Sequence, residues 1–138
     1  MKKQTALSHI FVILGLLTGL HLLVLSGVIP YEFIWEGNLK SVEEMRVLEI
    51  TSLLIISSML VTFIVKSRQL KRGKNSKGVN YMIWGIALSF FASMIGNLLA
   101  ENIWEIVPGT TVTMYATYLS ISIAWNDKSE RAMADVKN

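Results

Sequence analysis

Four apolar stretches, roughly Leu7 to Ile29, Val47 to Val65, Val79 to Ala100 and Thr111 to Trp125, occupy most of this 138-residue chain. Each is close to the ~20 residues that a helix needs to cross the hydrocarbon core of a bilayer. Nothing else in the chain restricts its fold so strongly, because a backbone surrounded by lipid has to satisfy its own hydrogen bonds. Short polar connections between the stretches favour antiparallel neighbours, so the expected fold is all-α: a polytopic membrane protein built as an antiparallel four-transmembrane-helix bundle. With caps and flanking charges included, the spans fall at about 7–29, 43–66, 79–103 and 110–126 in a single membrane domain covering 1–138.

The charges are segregated by these stretches. Placing both termini in the cytoplasm puts Lys2, Lys3, Lys66, Arg68, Lys71, Arg72, Lys74, Lys77, Lys128, Arg131 and Lys137 inside, and only Lys40 and Arg46 outside. Glu32, Glu36, Glu43, Glu44, Glu49, Glu101 and Glu105 then lie toward the outer side, with Asp127, Glu130 and Asp135 inside. An excess of Lys and Arg on cytoplasmic loops is the signature that sets membrane orientation. Trp35 and Trp104 fall at the outer boundary and Trp84 and Trp125 at the inner one, where indole rings sit between acyl chains and headgroups.

Composition removes several kinds of chemistry. The chain has no cysteine, which excludes a disulfide framework, thiolate metal ligation and thiol redox catalysis. Its net charge of +3 comes largely from the inner loop, so it points to anionic headgroups of the lipid bilayer and not to nucleic acid. The sequence contains no phosphate-binding glycine loop, HExxH metal pair or GxSxG nucleophile motif, and no catalytic residue, cofactor or metal is assigned. Lys2 and Lys3 ahead of an apolar run resemble a signal peptide, but the run is longer than an h-region and no small-x-small site follows, so the first span is expected to be retained.

Local signals refine the helix ends. Ser41 followed by Glu44 fits a capping box, which starts the second helix near Val42 and puts Glu43, Glu44, Arg46 and Glu49 on its first two turns. Gly73, after basic residues, is a stop for that helix. Pro108 and Gly109 read as a turn, with Thr110 or Thr111 capping the fourth helix. Gly15 and Gly19 form a small-xxx-small pair, and Gly85, Ser89, Ala92, Ser93 and Gly96 share a face of the third span. These small residues predict close packing against another helix, and Gly15 with Gly19 also admits a homo-oligomer.

The candidate site lies at the outer third of the bundle. His21, Glu49, Asn97 and Glu101 occupy similar depths on three spans, and ionisable groups inside a membrane usually face a bundle interior or a wet cavity. Three readings follow. His21 with Glu49 or Glu101 suits proton exchange in transport or in a membrane enzyme. One imidazole and two carboxylates also suit a divalent cation, and Glu36, Glu101 and Glu105 form an acidic mouth for a cationic ligand. Packing and headgroup-level pairing remain alternatives for each residue, including an Arg46–Glu49 pair, an interhelical hydrogen bond from Asn97, an interfacial His9 and packing roles for Tyr115 and Tyr118. The basic stretch Lys66 to Lys77 is explained by orientation, with anionic lipid or a cytoplasmic partner as the alternative.

Gly19-Leu20-His21-Leu22 and Gly96-Asn97-Leu98-Leu99-Ala100, set in this four-span layout, resemble small uncharacterised membrane proteins of bacteria. The resemblance implies a multi-pass protein of the bacterial plasma membrane and no particular reaction. The size is similar to that of small multidrug transporters, but their first span carries a deep carboxylate and this one has no acid. The reading that leads is a non-enzymatic protein with an outward-facing polar pocket for a small molecule, ion or partner membrane protein. An oligomeric transporter is the first alternative and an enzyme using His21 with Glu49 or Glu101 the second.

Overall fold

The computed structural model describes residues 1–31, 39, 41–100 and 103–125, except for the side chains of Trp104 and Glu105. These residues form four α-helices: α1 (Lys3–Leu25), α2 (Val42–Lys71), α3 (Lys77–Leu98) and α4 (Ile103–Ala124). Each helix packs against its chain neighbours and α1 closes against α4, with α3 and α4 sharing the most extensive contact. Three of them, α1, α2 and α3, are long and apolar enough to cross a membrane. The protein is a helical, membrane-associated four-helix bundle. In α4 the six residues Thr110, Thr111, Thr113, Thr117, Ser120 and Ser122 dilute the apolar character without shortening the helix.

The ends of the helices follow from side-chain and backbone chemistry. Ser41 takes an extended conformation and its hydroxyl accepts a 3.1 Å hydrogen bond from the Glu44 amide, so one orphan N–H at the start of α2 is satisfied. Gly27 adopts φ +76° just beyond α1, and the amides of Val28 and Ile29 both turn back to the Leu23 carbonyl. A left-handed residue just past a helix is the usual stop, so α1 ends before the expected boundary at Ile29. Gly73, with φ +64°, stops α2 in the same way.

The third connection departs from expectation. Instead of turning the chain, Pro108 and Gly109 lie inside α4, which starts at Ile103; α3 stops at Leu98, short of the expected 103. Pro108 is the sixth residue of α4 and so leaves the helix without one i→i−4 hydrogen bond near its start. Gly109 is required by a neighbour: a Cβ added there would lie 2.8 Å from Cγ of Asn97 on α3. The Pro-Gly pair thus marks a close approach between helices.

The core lies off-centre. Ala6, Leu7, Ile10 and Leu14 of α1 meet Ile56, Met59 and Phe63 of α2, Ile83, Ile86 and Phe90 of α3, and Ala116, Leu119, Ile123 and Ala124 of α4. Most of these come from the half of their helix nearer the basic α2–α3 connection, with Ile56 and Phe90 just past the midpoints of α2 and α3. Burying large side chains accounts for most of the packing gain there, at roughly 25 cal/mol per Å² of apolar surface removed from water, although exclusion from lipid is a weaker drive than exclusion from water.

The small residues read as contacts on α1 and α3 do not make these seams. Gly15, Gly85, Ser89, Ala92, Ser93 and Gly96 are exposed and Gly19 is half-buried, and a Cβ on Gly15, Gly19, Gly85 or Gly96 would meet nothing within 4 Å. The expected close packing at these positions is therefore not made within the bundle, because larger side chains such as Ile83 and Phe90 hold the inner face of α3. Gly109, read as a turn residue, is the glycine that the helix contact demands.

Candidate functional site

At the end of the bundle away from the apolar core, His21 sits about 6 Å from the end of α1 and Glu49 about 10 Å from the start of α2, at ~1.5 Å per residue. Their side chains meet across the α1–α2 seam, with His21 Nδ1 2.6 Å from Glu49 Oε2. The Glu49 side chain is 0% exposed and that of His21 19% exposed. With the carboxylate ionised, Nδ1 carries the donated proton, which leaves Nε2 on the opposite edge of the ring for another partner. A carboxylate holding one imidazole nitrogen is also the usual way of orienting a histidine that binds or reacts through the other.

Asn97 takes part in a different contact. Its amide nitrogen donates to Thr113 Oγ1 on α4 over 3.4 Å, close to the outer limit for a hydrogen bond. Its side chain also covers Gly109. The structure thus brings His21 and Glu49 together and ties Asn97 to α4. Glu101 and Glu36 lie outside the described residues, as do Glu32, Trp35, Lys40 and the tail from Asn126 onward, and the side chain of Glu105 is likewise outside them.

The α4 hydroxyls separate sharply by partner. Thr111, Thr113, Thr117, Ser120 and Ser122 all donate to carbonyls of their own helix at 2.7–2.8 Å. Such back-bonding lets a hydroxyl sit in an apolar setting without any outside partner. Thr110 is the exception: its Oγ1 is buried and has no hydrogen-bond partner among the described residues. An orphaned buried hydroxyl is costly and calls for an explanation such as a ligand or water. Thr110 is one residue from the glycine beneath Asn97, at the end of the bundle where His21 and Glu49 pair.

The opposite end contains a second polar centre, within the basic stretch that the charge pattern explains by orientation. Lys66 is fully buried, and its ammonium donates to Asn75 Oδ1 at 2.9 Å and Asn80 Oδ1 at 2.7 Å. Asn80 donates in turn to Asn75 Oδ1 at 3.0 Å. This network joins α2, the following loop and α3. The helical spacing offered a signal: Lys66 is three residues after buried Phe63 and seven after buried Met59, a spacing that keeps all three on one face.

His9, read as interfacial, is exposed and also makes a contact between helices. Its Nδ1 is 2.6 Å from the Tyr115 hydroxyl, joining α1 to α4, and Tyr115 stacks on Tyr118 with ring centroids 6.4 Å apart. Trp84 and Trp125, both assigned to the inner boundary, lie with ring centroids 6.3 Å apart. Among the described residues no group of three or more His, Cys, Asp or Glu is arranged to hold a metal ion. Comparison with protein-family models, curated proteins and solved structures found no match to this chain.

Proposed function

We propose that this is a four-span, antiparallel protein of the bacterial plasma membrane, with both termini cytoplasmic, that binds a small polar or cationic ligand in an outward-facing pocket. The observation that carries the reading is the His21–Glu49 pair. A fully buried carboxylate bonded to a nearly buried imidazole at 2.6 Å is a poor way to stabilise a helix seam, since apolar residues of similar volume are often as stable or more so. Such a pair suits a site in which one nitrogen is held and the other is presented.

Two further observations support a binding role. The acidic half of the bundle has the half-buried Thr18, Asn97 and Thr113 and the orphaned Thr110 hydroxyl where the basic half has its apolar cluster. Ile10, Leu14, Ile56, Phe63, Phe90 and Leu119 belong to the apolar cluster on the inner side of this region. The hydroxyls deeper in the bundle, Thr62, Thr117 and Ser120, are bonded to their own helices and supply no chain of sites for an ion to cross. A polar region backed by an apolar cluster accords with a receptor or accessory protein better than with a transporter.

The test is a thermal-shift screen of detergent-solubilised protein, read by tryptophan fluorescence, against small primary and quaternary ammonium compounds. Binding to the folded state raises the melting temperature by mass action. The wild type is expected to respond to at least one compound, and the double variant His21→Leu/Glu49→Leu to lose that response while remaining folded. An equal response from the double variant removes the pair from the binding site, and no response from the wild type across the panel rejects a small ammonium ligand.

A further inference from the structure

At the basic end of the bundle, a groove of about 260 Å³ runs between the start of α1 and the end of α2. Gln4 and Lys71 stand at its lip, Ser8 and Ser67 one turn deeper, and Leu7, Leu70 and Phe11 supply its apolar wall. Polar and apolar groups share the levels near the lip, with Leu7 between Gln4 and Ser8 and Leu70 beside Lys71, and Phe11 stands farthest from the basic end. Ser8 already donates to the Gln4 backbone carbonyl at 3.2 Å, which leaves the Gln4 side-chain amide, the Ser67 hydroxyl and the Lys71 ammonium as donors toward an occupant. Lys71 makes no ion pair with a described residue.

From this we infer that the groove is a binding site for an anionic phospholipid, with the headgroup phosphate on Lys71 and Ser67 and the upper acyl chain against Leu7, Leu70 and Phe11. Charge complementarity decides the class of occupant. The described side chains around this end include the cations Lys2, Lys3, Arg68, Arg72, Lys74 and Lys77, whereas the described acids, Glu43, Glu44 and Glu49, all lie on the first two turns of α2 at the other end. Basic pockets between helices at the cytoplasmic side are suited to phosphate headgroups. The apolar wall favours a lipid over free phosphate, because a bare anion gains nothing from Phe11 and loses hydration beside it.

Native mass spectrometry of the detergent-released full chain tests the assignment with phosphatidylglycerol and phosphatidylcholine of matched acyl chains. The wild type is expected to retain phosphatidylglycerol preferentially, and Lys71→Gln to reduce that retention about fivefold, the size of one lysine's contribution near an anionic surface. Lys74→Gln removes a loop cation that does not line the groove, and it should leave retention unchanged, as should millimolar inorganic phosphate. Equal losses in the two lysine variants would show diffuse attraction to the loop and overturn the site. Competition by inorganic phosphate, or no preference between the lipids, would overturn it as well.

Discussion

Replacing Gly109 with alanine should lower the stability of the bundle, although alanine is the better helix former. Two effects compete. Helix propensity favours alanine over glycine by ~1 kcal/mol in a helix interior. Against this, the added Cβ would lie 2.8 Å from Asn97 Cγ, 2.9 Å from Oδ1 and 3.0 Å from Nδ2, where carbon atoms normally sit ~3.5–4.0 Å apart. Cγ is the branch point of a short side chain, so the whole amide must swing away or α3 and α4 must separate. Overpacking of this kind costs ~1–3 kcal/mol, and the swing also breaks the 3.4 Å bond to Thr113, a long contact contributing no more than ~0.5 kcal/mol. Together these contributions give a loss of up to ~2.5 kcal/mol, or several degrees in melting temperature at this chain length. Circular dichroism of the protein in mild detergent reads it. The decisive comparison is in an Asn97→Ala background, where the opposing amide is gone and Gly109→Ala should become stabilising by up to ~1 kcal/mol. The same sign of effect in both backgrounds would refute the claim that Gly109 exists to receive Asn97.

Two other perturbations test the polar centres by the same unfolding measurement. His21→Leu removes the 2.6 Å partner of the fully buried Glu49 and should cost up to ~3 kcal/mol, while His21→Leu/Glu49→Leu should recover part of that loss, since breaking a buried pair is worse than replacing it; additive single effects would show that the two side chains are not coupled. Asn80→Leu takes the 2.7 Å acceptor from the buried Lys66 ammonium and should cost ~1.5–3 kcal/mol, the range for hydrogen bonds to a charged group. Asn80→Asp keeps an acceptor and should cost less. Equal losses from Leu and Asp would locate the effect in packing.

What could be read in the chain was whatever depends on a few adjacent residues or on solvent. The all-α class follows from apolar run lengths, the start of α2 from Ser41 and Glu44, and its end from Gly73, because caps and stops are local chemistry. His21 and Glu49 were recognisable as partners from their common depth. Facing direction was harder, since in a membrane the lipid side of a helix is as apolar as its core side. The stripe from Gly85 to Gly96 therefore looked like a contact and is exposed, whereas Gly109 looked like a turn and is a contact. Lys66 was hidden by its neighbours. A lysine beside Arg68 and Lys71 reads as one more orientation charge until α3 and the loop bring Asn80 and Asn75 around it.

The two halves of the bundle now account for each other. The basic half contains the apolar cluster and the Lys66–Asn75–Asn80 network, so α2 and α3 are fixed both by large side chains and by a charge-assisted knot whose breakage would leave a buried cation short of acceptors. That half can serve as an anchor. Among the described residues the acidic half is held by the buried Val24 and Met45 and by polar contacts: the His21–Glu49 pair joins α1 to α2, and a long Asn97–Thr113 bond over Gly109 joins α3 to α4. Regions of lower local stability are where binding sites and moving elements are usually found. A ligand that engaged His21 through Nε2 and supplied a partner to Thr110 would link the α1–α2 pair to the α3–α4 pair at the acidic end. Its binding energy would then appear as stiffening of the acidic half, while the basic half, already packed, would change little.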